Sequence, residues 1–129
     1  MLPGGARPVR LAFPTEARLR QKSQFDAVYA RGHRLGDGYF TVVTRANDVA
    51  GPRLGLAIAV KVAGNSVRRN RIRRLIRESF RLHRHELPHV DLIVSARTPA
   101  RTAAAPALRA SLEALWIRVS EQCASLPQA

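Results

Sequence analysis

The chain has 129 residues, with 22 Lys and Arg against 9 Asp and Glu, a formal net charge of +13. Its pI of about 11.7 lies well beyond the value of about 9 that flags nucleic-acid-binding domains, and its apolar runs stop far short of the ~20 residues that span a bilayer. One cysteine, Cys123, excludes an internal disulfide framework and fits a reducing cytosol.

The length implies a single domain, expected over residues 18–122. Residues 1–17 read as a flexible tail: Arg7 and Arg10 sit among prolines, without the apolar stretch of a signal peptide. Residues 123–129 read as a frayed C-terminus. Ser23-Gln24-Phe25-Asp26 has the spacing of a capping box, and Phe25, Val28 and Tyr29 follow at helical spacing before Gly32. This predicts a helix over 23–31. Residues 39–44, rich in β-branched and aromatic side chains, predict a strand. After the turn-forming residues 47–52 a second strand is expected over 53–61, so that the two form a hairpin. A long helix is expected over 66–84, a third strand over 90–96, and a final helix carrying Leu108, Leu112, Leu115, Trp116 and Val119 on one stripe. The order α-β-β-α-β-α predicts an α+β fold, a small sandwich of helices packed on a mixed sheet.

The long helix dominates the chain. Eight arginines fall between positions 68 and 84, and at about 100° per residue Ile72, Leu75, Ile76, Ser79 and Phe80 share one face. Asn70, Arg73, Arg74, Arg77 and Arg81 share another, with Arg69 and Arg71 on the flanks. Guanidinium forks match phosphate oxygens bidentately and stay charged at any working pH. A charged face is often merely solvated, but only Glu78 here offers an opposite charge within the cluster. Such an imbalance points to a polyanionic partner.

In the second strand, alternation puts Leu54, Leu56, Ile58 and Val60 on one side and Gly55, Ala57, Ala59 and Lys61 on the other. The small side chains form either a close-packed floor beneath a helix or a groove for a single nucleic-acid strand with Lys61 at its mouth. Aromatic rings that stack on unpaired bases would then come from nearby.

Read together, Leu19-Arg20, Phe25-Asp26-Ala27-Val28-Tyr29, Gly32, Arg53-Leu54-Gly55-Leu56, Lys61-Val62, Gly64-Asn65-Ser66-Val67, the run Arg69 to Arg81 and Asp91-Leu92-Ile93-Val94 resemble the protein subunit of bacterial ribonuclease P. The RNA partner in that family removes the 5′ leader from precursor tRNA. The matches span positions 19 to about 97, and the arginine block is the most specific of them. The resemblance implies an α-β sandwich with a left-handed crossover through the arginine helix, against the usual hand of such connections. It implies that Arg69, Asn70, Arg71, Arg73, Arg74 and Arg77 face the catalytic RNA. It also implies that a cleft containing Phe25, Tyr29, Phe40 and Lys61 holds the single-stranded leader. Departures from the family pattern are Val60 in place of the first of two lysines, the extra Ala63, and Thr41 and Val43 where some members carry another aromatic.

The acidic residues offer no pair spaced to hold two metal ions. His83, His85 and His89 with Asp91 suggest a metal site, but neighbouring arginines oppose a cation, and histidines there more often cap a helix end or touch phosphate. Cys123 has no evident partner for a nucleophile's role. No catalytic residue and no protein-held metal is therefore expected; magnesium is expected with the RNA subunit. The expected function is that of a non-catalytic subunit of the ribonuclease P holoenzyme, an endoribonuclease of tRNA 5′ maturation. Its partners would be the catalytic RNA and precursor tRNA, in the cytoplasm, with no membrane and no obligate protein partner. Two rival classes are a structural rRNA-binding protein of the ribosome and a DNA-binding regulator. The first more often carries long basic extensions, and the second wants a helix-turn-helix or a dimerisation stripe.

Overall fold

In the computed structural model residues 17–125 are described, apart from 48 and 50. The expected N-terminal tail lies outside them except for Ala17, which is buried in the core and so belongs to the domain. Helix α1 (Lys22–Arg31) starts slightly earlier than predicted. Gln24 Oε1 accepts from the backbone N–H of Arg20 (2.9 Å) and Gln21 (3.0 Å), while Asp26 pairs with Lys22 on the exposed face. Strands β1 (His33–Gly36), β2 (Phe40–Ala46) and β3 (Arg53–Leu56) follow, then one helical turn, α2 (Val60–Ala63). The arginine helix α3 (Ser66–His83) is capped by Asn65 Oδ1, which accepts from Arg68 N at 2.8 Å. Strand β4 (Val90–Ala96) and helix α4 (Ala105–Ser125) complete the domain. The backbone of α4 remains helical through Ser125, three residues into the segment expected to fray.

The mixed sheet has the order β1-β2-β4-β3, antiparallel except for the parallel β3–β4 pair. The predicted hairpin is thus not formed, because β4 enters between its two strands. The reason lies in β4 itself: Val90 to Val94 are all buried, and a strand covered on both faces takes the centre of a sheet. Its one charged residue, Asp91, is held from both neighbours. Arg53 Nε and Nη2 each donate to its carboxylate at 2.8 Å, and Asn47 Nδ2 donates at 2.8 Å. β3 is also shorter than expected. It ends at Leu56, so Ala59 and Lys61 are not on a strand face.

The sheet separates two cores. On one side α3 and α4 pack over Phe40, Val42, Leu54, Leu92 and Val94, with Trp116 edge-on to Phe80 and its Nε1 donating to Ser79 Oγ at 2.9 Å. All five residues of the predicted stripe on α4 are buried here. On the other side α1 covers less of the sheet, through Val28 and Phe25 against Leu19, Val43 and Ile93.

Candidate nucleic-acid interface

Residues 18–20 run beside the edge strand. Arg18 bridges Leu54 in parallel, and Leu19 N donates to Leu54 O at 2.8 Å. Period-2 alternation then buries Leu19 and turns Arg18 and Arg20 outward. Across from them, Arg73 and Arg77 project from α3. With Leu19, Phe25, Leu54 and Leu56 these four arginines line a cavity of ≈ 260 Å³.

The floor of that cavity answers the question of small side chains on β3. A Cβ on Gly55 would stand 2.7 Å from Phe25 Cζ and 3.1 Å from Leu19 Cβ. The space over Gly55 is therefore filled by the Phe25 ring, not left as an open groove. Phe25 packs on the sheet and still borders the cavity.

Arg73 carries the clearest electrostatic signature. Partial burial, followed by repulsion from Arg77 and then Arg69, holds its guanidinium below the ordinary arginine value. It remains a cation, so the free protein bears a cost that a bound polyanion would relieve.

The other expected RNA-facing residues separate by role. Asn70, Arg74 and Arg77 are exposed. Arg69 Nε donates to Ile58 O and Arg71 Nη2 to Ala103 O, each at 2.8 Å. Both thus spend a donor in tying α3 to its neighbours. A second cavity of ≈ 390 Å³ opens on the other flank of α3, between Arg71, Arg74, Leu75 and Glu78 and the start of α4 at Ala105 and Arg109.

Of the expected leader-cleft residues, only Phe25 lies at the first cavity. Tyr29 is 45% exposed one turn further along α1 and is not part of its lining. Phe40 must be withdrawn: its ring is 0% exposed, inside the core under α3 and α4, because position 40 alternates to the helix-covered face with Val42. Tyr39 packs against that same core. Lys61 is exposed in α2, where its backbone O accepts from Arg101 Nη2 at 2.9 Å, and it too is outside the cavity lining. On the α1 side of β2 stand Thr41 and Val43, so that strand lends no ring there. Arg18, Arg20 and Arg109 were not among the expected binding residues. The alternation of Arg18-Leu19-Arg20 was the available signal for the first two.

Two of the three histidines lie beside carboxylates. His83 Nδ1 lies 3.2 Å from Glu86 Oε1, and His85 Nε2 lies 3.5 Å from Glu86 Oε2. Asp91 is on the strand with Arg53. Among the described residues, no group of three or more His, Cys, Asp or Glu is placed to hold a metal ion, and no helix is long and apolar enough to cross a membrane.

Fold and surface together define a small α+β protein that presents an arginine helix, with basic cavities on both flanks, to a polyanion. Comparison with known proteins makes the class specific. The ribonuclease P family matches residues 13–120. The ribonuclease P protein component of Escherichia coli O157:H7 is 44% identical over 110 residues, covering 85% of this chain and 92% of that one. Among solved structures, the Staphylococcus aureus RNase P protein superposes with a TM-score of 0.73 at 33% identity, over 84% of this chain and 95% of that one. The Thermotoga maritima RNase P protein superposes with a TM-score of 0.72 at 30% identity, over 79% and 96%. The chain belongs to the ribonuclease P protein family. Neither the ribosomal nor the DNA-binding alternative is favoured.

Proposed function

We propose that this chain, as the protein component of ribonuclease P, binds the catalytic RNA along α3 and holds the 5′ leader of precursor tRNA at the cavity between α3, α1 and the 18–20 segment. The observation that carries this reading is the joining of Arg73, Arg77, Arg18 and Arg20 with the half-buried Phe25 around one cavity. Phosphates of a single strand suit the guanidinium forks. An unpaired base suits the open side of the ring, an interaction worth ~1–3 kcal/mol that tolerates any sequence.

Chemistry is assigned to the RNA subunit together with magnesium, in the cytoplasm. The first cavity is lined by arginines and apolar side chains, with no carboxylate or imidazole to act as a general base. The polypeptide contributes positive charge and a longer grip on the substrate. Tyr29, on the same helix as Phe25, stays in this proposal as an exposed ring that a longer leader reaches. Lys61 stays as an outlying cation.

The test compares precursor and mature tRNA binding to the reconstituted holoenzyme. Phe25→Ala is expected to weaken the precursor more than the mature form, since only the precursor has a strand to place there. Equal loss for both ligands would refute leader binding at this site.

A further inference from the structure

Most half-buried guanidinium groups in this molecule hold an acceptor. Arg53 grips Asp91, Arg69 and Arg71 each donate to a backbone carbonyl, Arg81 pairs with Glu78, and Arg101 donates to Lys61 O and Val62 O. Arg84, which opens a short helical turn after α3 (Arg84–Glu86), is half-buried and holds none. Among the described residues its Nε is the one buried side-chain nitrogen or oxygen without a hydrogen-bond partner. Glu86, two residues on, lies beside His83 and His85, and Asp91 is taken by Arg53 and Asn47. Desolvating a cation without a counter-charge is costly, and an anion bound at its open end relieves that cost.

The turn at residues 47–51 forms the mouth. Arg84 Nη2 lies 3.7 Å from the position that a Cβ on Gly51 would take. Gly51 has φ of +145°, which residues with a side chain rarely adopt, so the turn passes the guanidinium with bare backbone. Asn47 fixes this turn, donating from Nδ2 to Gly51 O at 3.2 Å and to Asp91 Oδ1 at 2.8 Å. Arg84 borders neither of the two cavities, and at 1.5 Å per residue it lies roughly 10 Å beyond Arg77 along the helix axis.

We infer that Arg84 and the turn at Gly51 form a separate anion site that takes one phosphate group, supplied by inorganic phosphate or by the backbone of a nucleic acid. The end-on fork of the guanidinium, Nη1 with Nη2, matches two oxygens of such a group; a monatomic anion offers no second oxygen. Bound there, phosphate ties the C-terminal end of α3 to the turn between β2 and β3. The site stands whether or not the leader occupies the first cavity.

The test follows the isotope-labelled full-length protein by NMR as inorganic phosphate replaces chloride at constant ionic strength. In the parent, the Gly51 amide and the Arg84 Nε–H are expected to shift saturably. Arg84→Lys keeps the charge but not the fork, and should need roughly tenfold more phosphate for the same Gly51 shift, as befits the loss of one charge-assisted hydrogen bond. In Arg84→Ala the saturable shift should vanish. Phosphate should also raise the melting temperature of the parent more than that of Arg84→Ala. A short single-stranded RNA that gives the same Gly51 shift at lower concentration identifies a nucleic-acid phosphate as the occupant; a response to inorganic phosphate alone identifies the free anion. No saturable shift with either ligand, or a parental shift in both variants, would overturn the site.

Discussion

At the scale of single residues, Asp91 and Gly55 carry consequences out of proportion to their size. The Asp91 side chain is only 6% exposed and joins the three strands around it through Arg53 and Asn47. Removing one partner of a buried pair strands the other charge, which typically costs ~3–5 kcal/mol. Asp91→Ala should therefore lower the urea midpoint and the melting temperature, and a parental melting curve would show that the pair contributes nothing. Gly55 is a different case, since its lack of a side chain lets Phe25 lie on the sheet. Gly55→Ala puts a methyl 2.7 Å from the Phe25 ring, so the ring must lift. The expected result is a reduced preference for precursor over mature tRNA with a smaller change in binding of the RNA subunit. If the preference is untouched, the seat on Gly55 is irrelevant to leader binding.

At the scale of elements, α3 serves three purposes on different sides of one cylinder. Ile72, Ile76, Ser79 and Phe80 are buried, Arg69 and Arg71 hold backbone carbonyls of neighbouring segments, and Arg74 and Arg77 are exposed with Arg73 half-buried beside them. The arginine excess is thus partly structural, a division that composition does not reveal. The entry of α3 depends on Gly64, which has φ of +103° and lies against the Arg101 side chain. Arg101 also donates to Val62 O at 3.1 Å, so the junction that the extra Ala63 lengthens is clamped in place. For the helix as a binding element, Arg73→Ala/Arg77→Ala should remain folded and bind the catalytic RNA with a shallower salt dependence. The slope should fall by about 0.7–0.9 for each phosphate that the variant no longer neutralises; an unchanged slope would mean that these side chains meet solvent in the complex.

At the scale of the whole molecule, charge and architecture set what the polypeptide does without its RNA. Described carboxylates are largely engaged: Asp26 with Lys22, Glu78 with Arg81, Glu86 with His83 and Asp91 with Arg53. Asp37 accepts from Tyr39 N, Phe40 N and Ser111 Oγ. The purified polypeptide should accordingly fail to cleave precursor tRNA at any magnesium concentration, and adding the catalytic RNA should restore cleavage at the leader junction. The protein's benefit should be greatest at low magnesium, because guanidinium groups and divalent ions both offset phosphate repulsion. Joint substitution of His83, His85 and His89 should leave holoenzyme activity within a few-fold, a margin set by the ~0.3–1 kcal/mol of terminal helix charges. RNA-independent cleavage by the parent protein, or a loss of orders of magnitude in the triple variant, would contradict this.

Patterns of near neighbours were legible in the sequence by itself. The buried stripe of α4, the apolar and basic faces of α3, the strand Val90–Ala96 and the α+β class all follow from periods of 3.6 and 2, which need no knowledge of what lies opposite. The family was legible too, from the block Arg69 to Arg81. What depended on distant partners was not. The position of β4 between β2 and β3 was decided by burial on both faces and by Asp91 binding residues 38 and 44 positions away. Phe40 went to the core and Phe25 to the cavity because the sheet has two unequal faces, and local alternation does not say which is which. Arg18, Arg20 and Arg109 came to line cavities beside α3 only once the chain had folded. Long-range pairing chooses among locally equivalent arrangements by total burial and charge satisfaction, and those quantities exist only in the packed molecule.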